Sequence, residues 1–198
     1  MSSRSYKFAA LLALKRRWGK PMLASMIFLF LQVLLIIVNL GLKVFNVTGF
    51  FIGFLSLGYA QIMLDVVRQN PIHLRKSLFI IKKYNAKAFL MGMLMFMFKF
   101  LWSILLVVPG IIKSYEYSMA YFILLDNPKI APLDAIHESS VLMTKKKWKL
   151  FCLDMSFVGW YLLSILTGGV LLCFVIPYHQ AARAAFYENI RYKPYIPC

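Results

Sequence analysis

Long apolar stretches alternate with short basic clusters along the whole chain. Residues 22–42 form 21 positions without a charged side chain, and residues 45–64 form another 20. A helix of about 20 apolar residues is long enough to cross the roughly 30 Å hydrocarbon layer of a membrane. The same pattern predicts six transmembrane helices, at residues 22–42, 50–67, 88–108, 111–125, 149–166 and 168–187.

One arrangement of these features occurs three times, at a spacing of about 65 residues. Each copy has an amphipathic segment, a basic and aromatic cluster, and two apolar stretches. The second stretch carries a tyrosine ten or eleven residues before an asparagine. We therefore predict an all-α integral membrane protein of three repeated units, each an interfacial helix followed by a transmembrane hairpin, around a pseudo-threefold axis. The units are residues 1–70, 71–128 and 129–190 of a single membrane domain, and residues 191–198 form a C-terminal tail.

The amphipathic segments are residues 5–17, 72–83 and 130–146. They either lie in the headgroup plane or pack on the cytoplasmic ends of the spans. The clusters that follow them combine lysine or arginine with an aromatic ring, as is typical of a membrane interface. The interfacial residues predicted in this way are Arg16, Arg17, Trp18, Lys82, Lys83, Tyr84, Lys146, Lys147 and Trp148.

The distribution of charge fits this arrangement. The chain is 61% hydrophobic and carries a formal net charge of +16, which in a soluble protein would indicate a nucleic-acid partner. Twenty of the lysines and arginines, however, fall on one side of the predicted spans, against about three on the other side or within a span. The positive-inside rule then places both termini in the cytoplasm. Anionic lipids, rather than nucleic acid, are the expected partners of the basic loops.

Three charged residues fall within or beside the predicted second hairpin. Lys99 lies ten residues before Pro109, about 15 Å along a helix, where an unpaired lysine is costly. Glu116 on the returning helix is its predicted partner, and Lys113 is the competing partner of Glu116. Together they form a predicted intramembrane polar site, which serves either an ion or substrate path or only the pinning of the hairpin.

A second group of polar residues is predicted in the inner leaflet. We expect an Asp154–Arg183 contact to clamp the third hairpin, because a broken buried ion pair is costly. The cluster consists of Gln61, Asp65, Asp154, His179, Gln180 and Arg183.

Signatures of catalysis are absent from the sequence. It contains no HExxH, GxSxG or P-loop motif. Cys152, Cys173 and Cys198 have neither metal-ligand spacing nor a disulfide pattern. We therefore expect a protein that is not an enzyme and that has no metal and no cofactor.

A set of sequence motifs lies at residues 102–113, 117–120, 126–128, 134–136, 138–139, 157–160 and 185–188. Together these motifs resemble a family of bacterial membrane proteins, the domain of unknown function nine-seven-five. The resemblance is densest between Trp102 and Glu188, and Lys99 and Arg183 do not match its pattern. It implies a multi-pass protein of the bacterial plasma membrane and no particular activity.

Two functions follow as hypotheses. The first is a non-enzymatic accessory or protective role, in which the protein binds lipid or a hydrophobic, membrane-active peptide; self-immunity is one version. The alternative is a small transporter or channel, with Lys99 and Glu116 lining a path through the membrane.

Overall fold

The computed structural model describes residues 3–15, 18–42, 48–71, 85–105 and 107–192 of the chain. Every regular element in these ranges is an α-helix, which confirms the predicted all-α class. The helices are α1 Ser3–Leu14, α2 Gly19–Leu42, α3 Thr48–Val67, α4 Asn85–Leu105, α5 Val107–Glu116, α6 Ala120–Asp126, α7 Pro132–Leu142, α8 Lys147–Leu166 and α9 Leu172–Tyr192.

Among the described residues, α8 is the one helix long and apolar enough to cross a membrane. It has 20 residues with a mean hydropathy of 1.4, and only 22% of it is buried inside the protein. Shorter apolar stretches lie at Ser5–Leu14, Gly19–Leu34, Ser56–Val67 and Ala86–Phe98. Of the six predicted spans, one therefore corresponds to a helix that meets both the length and the hydropathy needed to cross a membrane.

The second predicted hairpin differs from the expectation in two places. Pro109 and Gly110 do not form its turn but lie in the first turn of α5, where proline is tolerated because its missing N–H has no helical partner anyway. The returning helix is also interrupted, since α5 ends at Glu116 and α6 begins at Ala120.

A serine from α7 explains the interruption. Ser139 Oγ donates to the carbonyl oxygen of Glu116 over 2.6 Å and accepts from the backbone N–H of Met119 over 3.3 Å. A hydroxyl inserted into the backbone ladder in this way is a recognised cause of helix breaks. The break therefore couples α7 directly to the α5–α6 bend.

The turn after α8 lies where the predicted spans 149–166 and 168–187 meet. Gly168 has a positive φ of 65°, and its N–H bonds the carbonyl of Ile165, while Gly169 N–H bonds that of Ser164. This is a Schellman motif, in which glycine is favoured because it adopts left-handed backbone angles without strain.

Two of the three predicted amphipathic segments can be compared with helices in the structure. α1 packs on α9, with Tyr6, Ala10 and Leu14 buried and Phe8 59% exposed on the other face. α7 starts with Pro132 as expected and packs on α6. The first and third segments are therefore helices packed on their neighbours, and the segment of residues 72–83 lies outside the described residues.

Candidate functional site

The cavity cluster, which we define as Asp154, Tyr161, His179 and Arg183, joins α8 to α9. Arg183 donates to Asp154 through Nε at 3.1 Å and through a second guanidinium nitrogen. His179 Nε2 lies 2.8 Å from the same carboxylate, and the hydroxyl of Tyr161 lies 2.9 Å from His179 Nδ1. The structure thus contains the predicted Asp154–Arg183 contact and extends it into a chain of four residues.

The remaining members of the predicted inner-leaflet cluster are elsewhere. Gln61 donates to Asp65 over 3.1 Å within α3, a helical i,i+4 pair. No hydrogen bond among the described residues links this pair to Asp154. Gln180 instead lines a cavity beside Arg183.

That cavity, of about 340 Å³, lies between α2, α3, α4, α5, α6 and α9. This volume is at the lower end of the range that small-molecule sites occupy. Its lining is dominated by hydroxyl groups and aromatic rings, with Arg183 as its cationic residue. The lining residues are Phe28, Ser56, Tyr59, Ala60, Met95, Ile111, Ser114, Tyr115, Tyr117, Ser118, Tyr121, Phe122, Gln180 and Arg183.

The cavity wall is held by contacts behind it. The hydroxyl of Tyr59 lies 2.7 Å from Ser25 Oγ, and Ser118 Oγ donates to the carbonyl of Tyr115 over 2.7 Å. Asp154 does not line the cavity, so it anchors Arg183 from the side while the arginine faces the space. Tyrosine hydroxyls and one oriented guanidinium suit a polar or anionic group whose remainder is apolar.

Two of the three repeated tyrosines line this cavity. Tyr59 stacks on Phe28 with ring centroids 4.8 Å apart, and Tyr117 meets Phe98 at 5.8 Å. The third, Tyr178, meets Phe157 edge-on at 5.0 Å. Each repeated tyrosine therefore contacts a phenylalanine of the long helix that precedes it.

Glu116 is bound by two lysines. Lys113 Nζ lies 2.7 Å from one carboxylate oxygen, and Lys147 bonds the other. Ser140 Oγ also donates to this carboxylate over 3.2 Å. Of the two predicted partners, Lys113 is thus in contact with Glu116, whereas the side chain of Lys99 lies outside the described residues.

A further group of charges, which the sequence analysis missed, lies where α3, α6 and α9 end. We call it the end cluster; Arg68 bridges Asp126 and Glu188, each at 2.7 Å. Arg191 lies 2.8 Å from Glu138 and 3.7 Å from Asp126. Tyr187 and Tyr192 donate to Asp126 over 2.7 and 2.9 Å. Its members are Arg68, Asp126, Glu138, Tyr187, Glu188, Arg191 and Tyr192.

The sequence did carry a signal for the end cluster. In each proposed repeat a charged residue stands one or two positions before the asparagine that follows the tyrosine by ten or eleven residues. The pairs are Arg68 before Asn70, Asp126 before Asn127 and Glu188 before Asn189. Three hairpins that end at one place would bring one base and two acids together. Opposite charges at equivalent repeat positions therefore predict the contact.

Both arginines of the end cluster stay charged. Burial acts to lower the pKa of Arg68, but hydrogen bonds and charge from Asp126 and Glu188 outweigh it and raise that pKa. The pKa of Arg191 is raised too, because neighbouring Tyr187, Tyr192 and Glu138 outweigh the effect of burial. Both guanidinium groups therefore keep their positive charge at any ordinary pH.

The interfacial residues divide into packed and exposed ones. Trp18 lies against Phe174 of α9, with ring centroids 6.1 Å apart. Trp148 is 72% exposed and stacks on Phe151. Lys146 precedes α8 as its N-terminal cap residue, beside Lys147. Arg16, Arg17, Lys82, Lys83 and Tyr84 lie outside the described residues.

One family model matches the second half of the chain. No curated protein matches the chain, and no solved structure matches it. Residues 103–193 match the model of the family described as Protein of unknown function (DUF975). This is the family that the sequence segments resemble, so the match confirms the resemblance.

Proposed function

We propose that the chain is a six-span protein of the bacterial cytoplasmic membrane with both termini in the cytoplasm. The exposed apolar surface supports this. On α8, Leu166 is 82%, Ile165 72% and Leu162 58% exposed, and on α2 Phe30 is 66% exposed. Apolar surface on several neighbouring helices is unfavourable in water and suits a lipid environment. The lengths of α2, α3, α4 and α9, at 24, 20, 21 and 21 residues, each suffice for a span.

The threefold repeat belongs to the same proposal. The recurring phenylalanine–tyrosine contact supports it, because the same pair forms within each proposed hairpin. The meeting of Arg68, Asp126 and Glu188 supports it as well, since equivalent positions converge around a common axis.

Within the membrane, we propose a non-enzymatic accessory or protective protein that binds part of an amphiphilic molecule. The observation that carries this is the cavity of about 340 Å³, whose hydroxyl groups and Arg183 complement a polar head while its aromatic rings contact an apolar body. The volume suits a lipid headgroup or one segment of a hydrophobic peptide. Protection against a membrane-active peptide is one version of this role.

A small transporter is the second candidate, and a different feature favours it. The cavity lies between helices of all three proposed repeats, as substrate sites of transporters lie between their repeats. In that case the cavity would hold a solute that crosses the membrane. The residues of the path would then include Arg183 and the tyrosines of the cavity lining.

Native mass spectrometry of the protein in lipid nanodiscs tests the proposal. Ala60 lines the cavity, so Ala60→Leu fills part of it, while Ala86→Leu places the same side chain at an exposed position of α4. We expect a stoichiometric bound molecule in the wild type and in Ala86→Leu, and its loss in Ala60→Leu. A molecule retained equally by both variants, or no bound molecule in any, would contradict a cavity ligand.

The identity of the bound molecule separates the two candidates. A lipid or peptide supports the accessory role, and a peptide ligand should protect cells that overproduce the protein. A small solute supports transport, and proteoliposomes should then accumulate it when they contain the wild type but not Ala60→Leu.

A further inference from the structure

The wall of the central cavity carries polar side chains whose hydrogen-bonding capacity is unused. Tyr117 is only 8% exposed, and its hydroxyl has no hydrogen-bond partner among the described residues. Because every enclosed side-chain oxygen and nitrogen in this part of the chain has a partner, the Tyr117 oxygen is accessible, and the cavity that the residue lines provides that access. The lining groups that keep capacity in this way are Ser56, Ser114, Tyr117, Tyr121, Gln180 and one terminal nitrogen of Arg183.

These groups favour a ligand that accepts hydrogen bonds. Arginine only donates, the Gln180 amide offers two N–H donors, and a hydroxyl donates whenever an acceptor faces it. No Asp or Glu is among the described residues that line the cavity. A cationic group would therefore share the space with a guanidinium and find no carboxylate, whereas an anionic group can accept from several donors at once.

The ion pair with Asp154 gives Arg183 an orientation rather than a net charge. The carboxylate balances the guanidinium, so the pair is neutral overall. Since Arg183 lines the cavity and Asp154 does not, the positive end of the pair points toward the space. Oriented dipoles and neutral donors hold an anion without a net positive charge, as helix N-termini do. The cavity is therefore polarised for a negative group.

A quaternary ammonium group is the competing occupant, because such cations bind the faces of aromatic rings. Phe28 and Tyr59 stack on each other with ring centroids 4.8 Å apart, and Phe122 stacks on Tyr187 at 5.2 Å. Each of these lining rings therefore has one face covered by another ring. Their remaining surface suits the apolar part of a ligand better than a cation beside Arg183.

We propose that the cavity binds the acidic head of an amphiphile, a phosphate or carboxylate group joined to an apolar chain. Arg183, Gln180 and Tyr117 donate to the head. Phe28 and Phe122 contact the first part of the chain. Basic pockets between membrane helices bind acidic lipid headgroups in the same manner. The inference rests on the proposed cavity ligand and names its chemical class, which excludes a basic peptide side chain.

Native mass spectrometry of protein released from nanodiscs tests this. The nanodiscs contain equal amounts of phosphatidylglycerol and phosphatidylcholine, of which only the first has a net negative charge. We expect the wild type to retain one phosphatidylglycerol several-fold more often than one phosphatidylcholine. Ala60→Leu, which fills part of the cavity, should lose this lipid, and Ala86→Leu, at an exposed position of α4, should keep it. The comparison isolates the cavity, because neither variant alters the basic residues outside it.

Removing single donors tests the contacts with the head. Tyr117→Phe deletes a hydroxyl from the cavity wall and should lower the retention of phosphatidylglycerol about tenfold, as expected for a hydrogen bond to a charged group. Tyr178→Phe is the matched control, because this repeated tyrosine contacts Phe157 and does not line the cavity. It should leave retention unchanged.

Removing the ion pair as a pair tests its part in the preference. Asp154→Asn combined with Arg183→Gln leaves no unpaired arginine or aspartate behind, which avoids the large cost of breaking a buried pair. We expect this double variant to retain phosphatidylglycerol and phosphatidylcholine equally. A preference that survives unchanged in it would overturn the assignment of Arg183 to the head.

Soluble competitors identify which part of the ligand is recognised. Decyl phosphate, an acidic head on a single chain, should displace phosphatidylglycerol from the wild type. Inorganic phosphate and decyltrimethylammonium at the same concentration should not. Displacement by inorganic phosphate would assign the cavity to a free anion, and displacement by the ammonium would assign it to a cation; either result would overturn the inference.

The remaining outcomes separate this inference from the proposed function. Equal retention of phosphatidylglycerol by the wild type and Ala60→Leu would place the lipid outside the cavity and overturn the inference. If filling the cavity instead releases phosphatidylcholine or a basic peptide, the cavity ligand stands and its acidic class is wrong. If no bound molecule depends on the cavity, both the inference and the proposed function fail.

Discussion

Two clusters of opposite charges in this molecule use the same residue types in different surroundings. The end cluster joins three acids and two arginines where α3, α6 and α9 end, and its Asp126 side chain is only 6% exposed. The cavity cluster joins Asp154, His179 and Arg183 between α8 and α9, and Arg183 lines an empty space of about 340 Å³. The central carboxylate of the first network, Asp126, is enclosed by protein partners, whereas the second network presents a cation to a cavity.

The difference teaches which cluster holds the fold and which is available to a ligand. Asp126 accepts hydrogen bonds from Arg68, Tyr187 and Tyr192, and Arg191 lies 3.7 Å from it, so the carboxylate is surrounded by partners from its own network. Arg183 uses its Nε and one terminal nitrogen on Asp154, and its other terminal nitrogen makes no hydrogen bond among the described residues. The end cluster is therefore structural, and the cavity cluster positions a donor.

The largest effect should follow from breaking the end cluster. Asp126→Asn leaves Arg68 and Arg191 with reduced compensation in a buried network, and we expect a loss of about 3 kcal/mol in the free energy of unfolding. Unfolding by SDS in mixed micelles measures this. Asp134→Asn is the control, because Asp134 is an exposed acid in the first turn of α7. A loss below about 1 kcal/mol would show that the network does not hold the three helices together.

A smaller effect should follow from the equivalent change in the cavity cluster. Asp154→Asn frees Arg183 to turn toward the cavity that it already lines, where water can solvate it. We expect the free energy of unfolding to fall by about 1–2 kcal/mol. We also expect a change in the molecule that is retained in nanodiscs. If Asp154→Asn lowers the free energy of unfolding as much as Asp126→Asn and leaves the bound molecule unchanged, both clusters are structural. The assignment of the cavity cluster to ligand binding would then be wrong.

Much of the helical content follows from the sequence alone. Apolar periodicity and the basic clusters place the long helices within a few residues of their observed bounds, because long apolar segments have few alternatives. The Asp154–Arg183 contact was predictable from a matching depth on adjacent helices. The sequence also contains the charges of the end cluster, but their pairing becomes evident only when the ends of the three proposed repeats are compared.

The failures of sequence reasoning have a common physical cause. The α5–α6 break depends on Ser139, which lies 23 residues from Glu116 in sequence, and local pattern cannot show that a distant hydroxyl enters a helix ladder. The contact of Glu116 with Lys147 was missed for the same reason, since Lys147 comes from a separate element. Long-range side-chain contacts decide these features, and no local periodicity encodes them.

The smallest predicted changes in the free energy of unfolding come from removing one hydroxyl group from each cluster. Tyr187 is fully buried and donates to the Asp126 carboxylate over 2.7 Å. Tyr187→Phe should therefore lower the free energy of unfolding by about 1.5 kcal/mol, as expected for a hydrogen bond to a charged acceptor. Tyr161→Phe removes the bond to His179 Nδ1, which involves no carboxylate, and should lower the free energy of unfolding by about 0.5 kcal/mol.

Both tyrosine variants keep the ring and differ from wild type by one oxygen, so packing changes contribute little and each variant is the control for the other. The same SDS titration resolves the two values when both proteins are measured in one lipid–detergent mixture. A larger loss for Tyr161→Phe would reverse the assignment, because the cavity cluster would then carry the stability that we place in the end cluster.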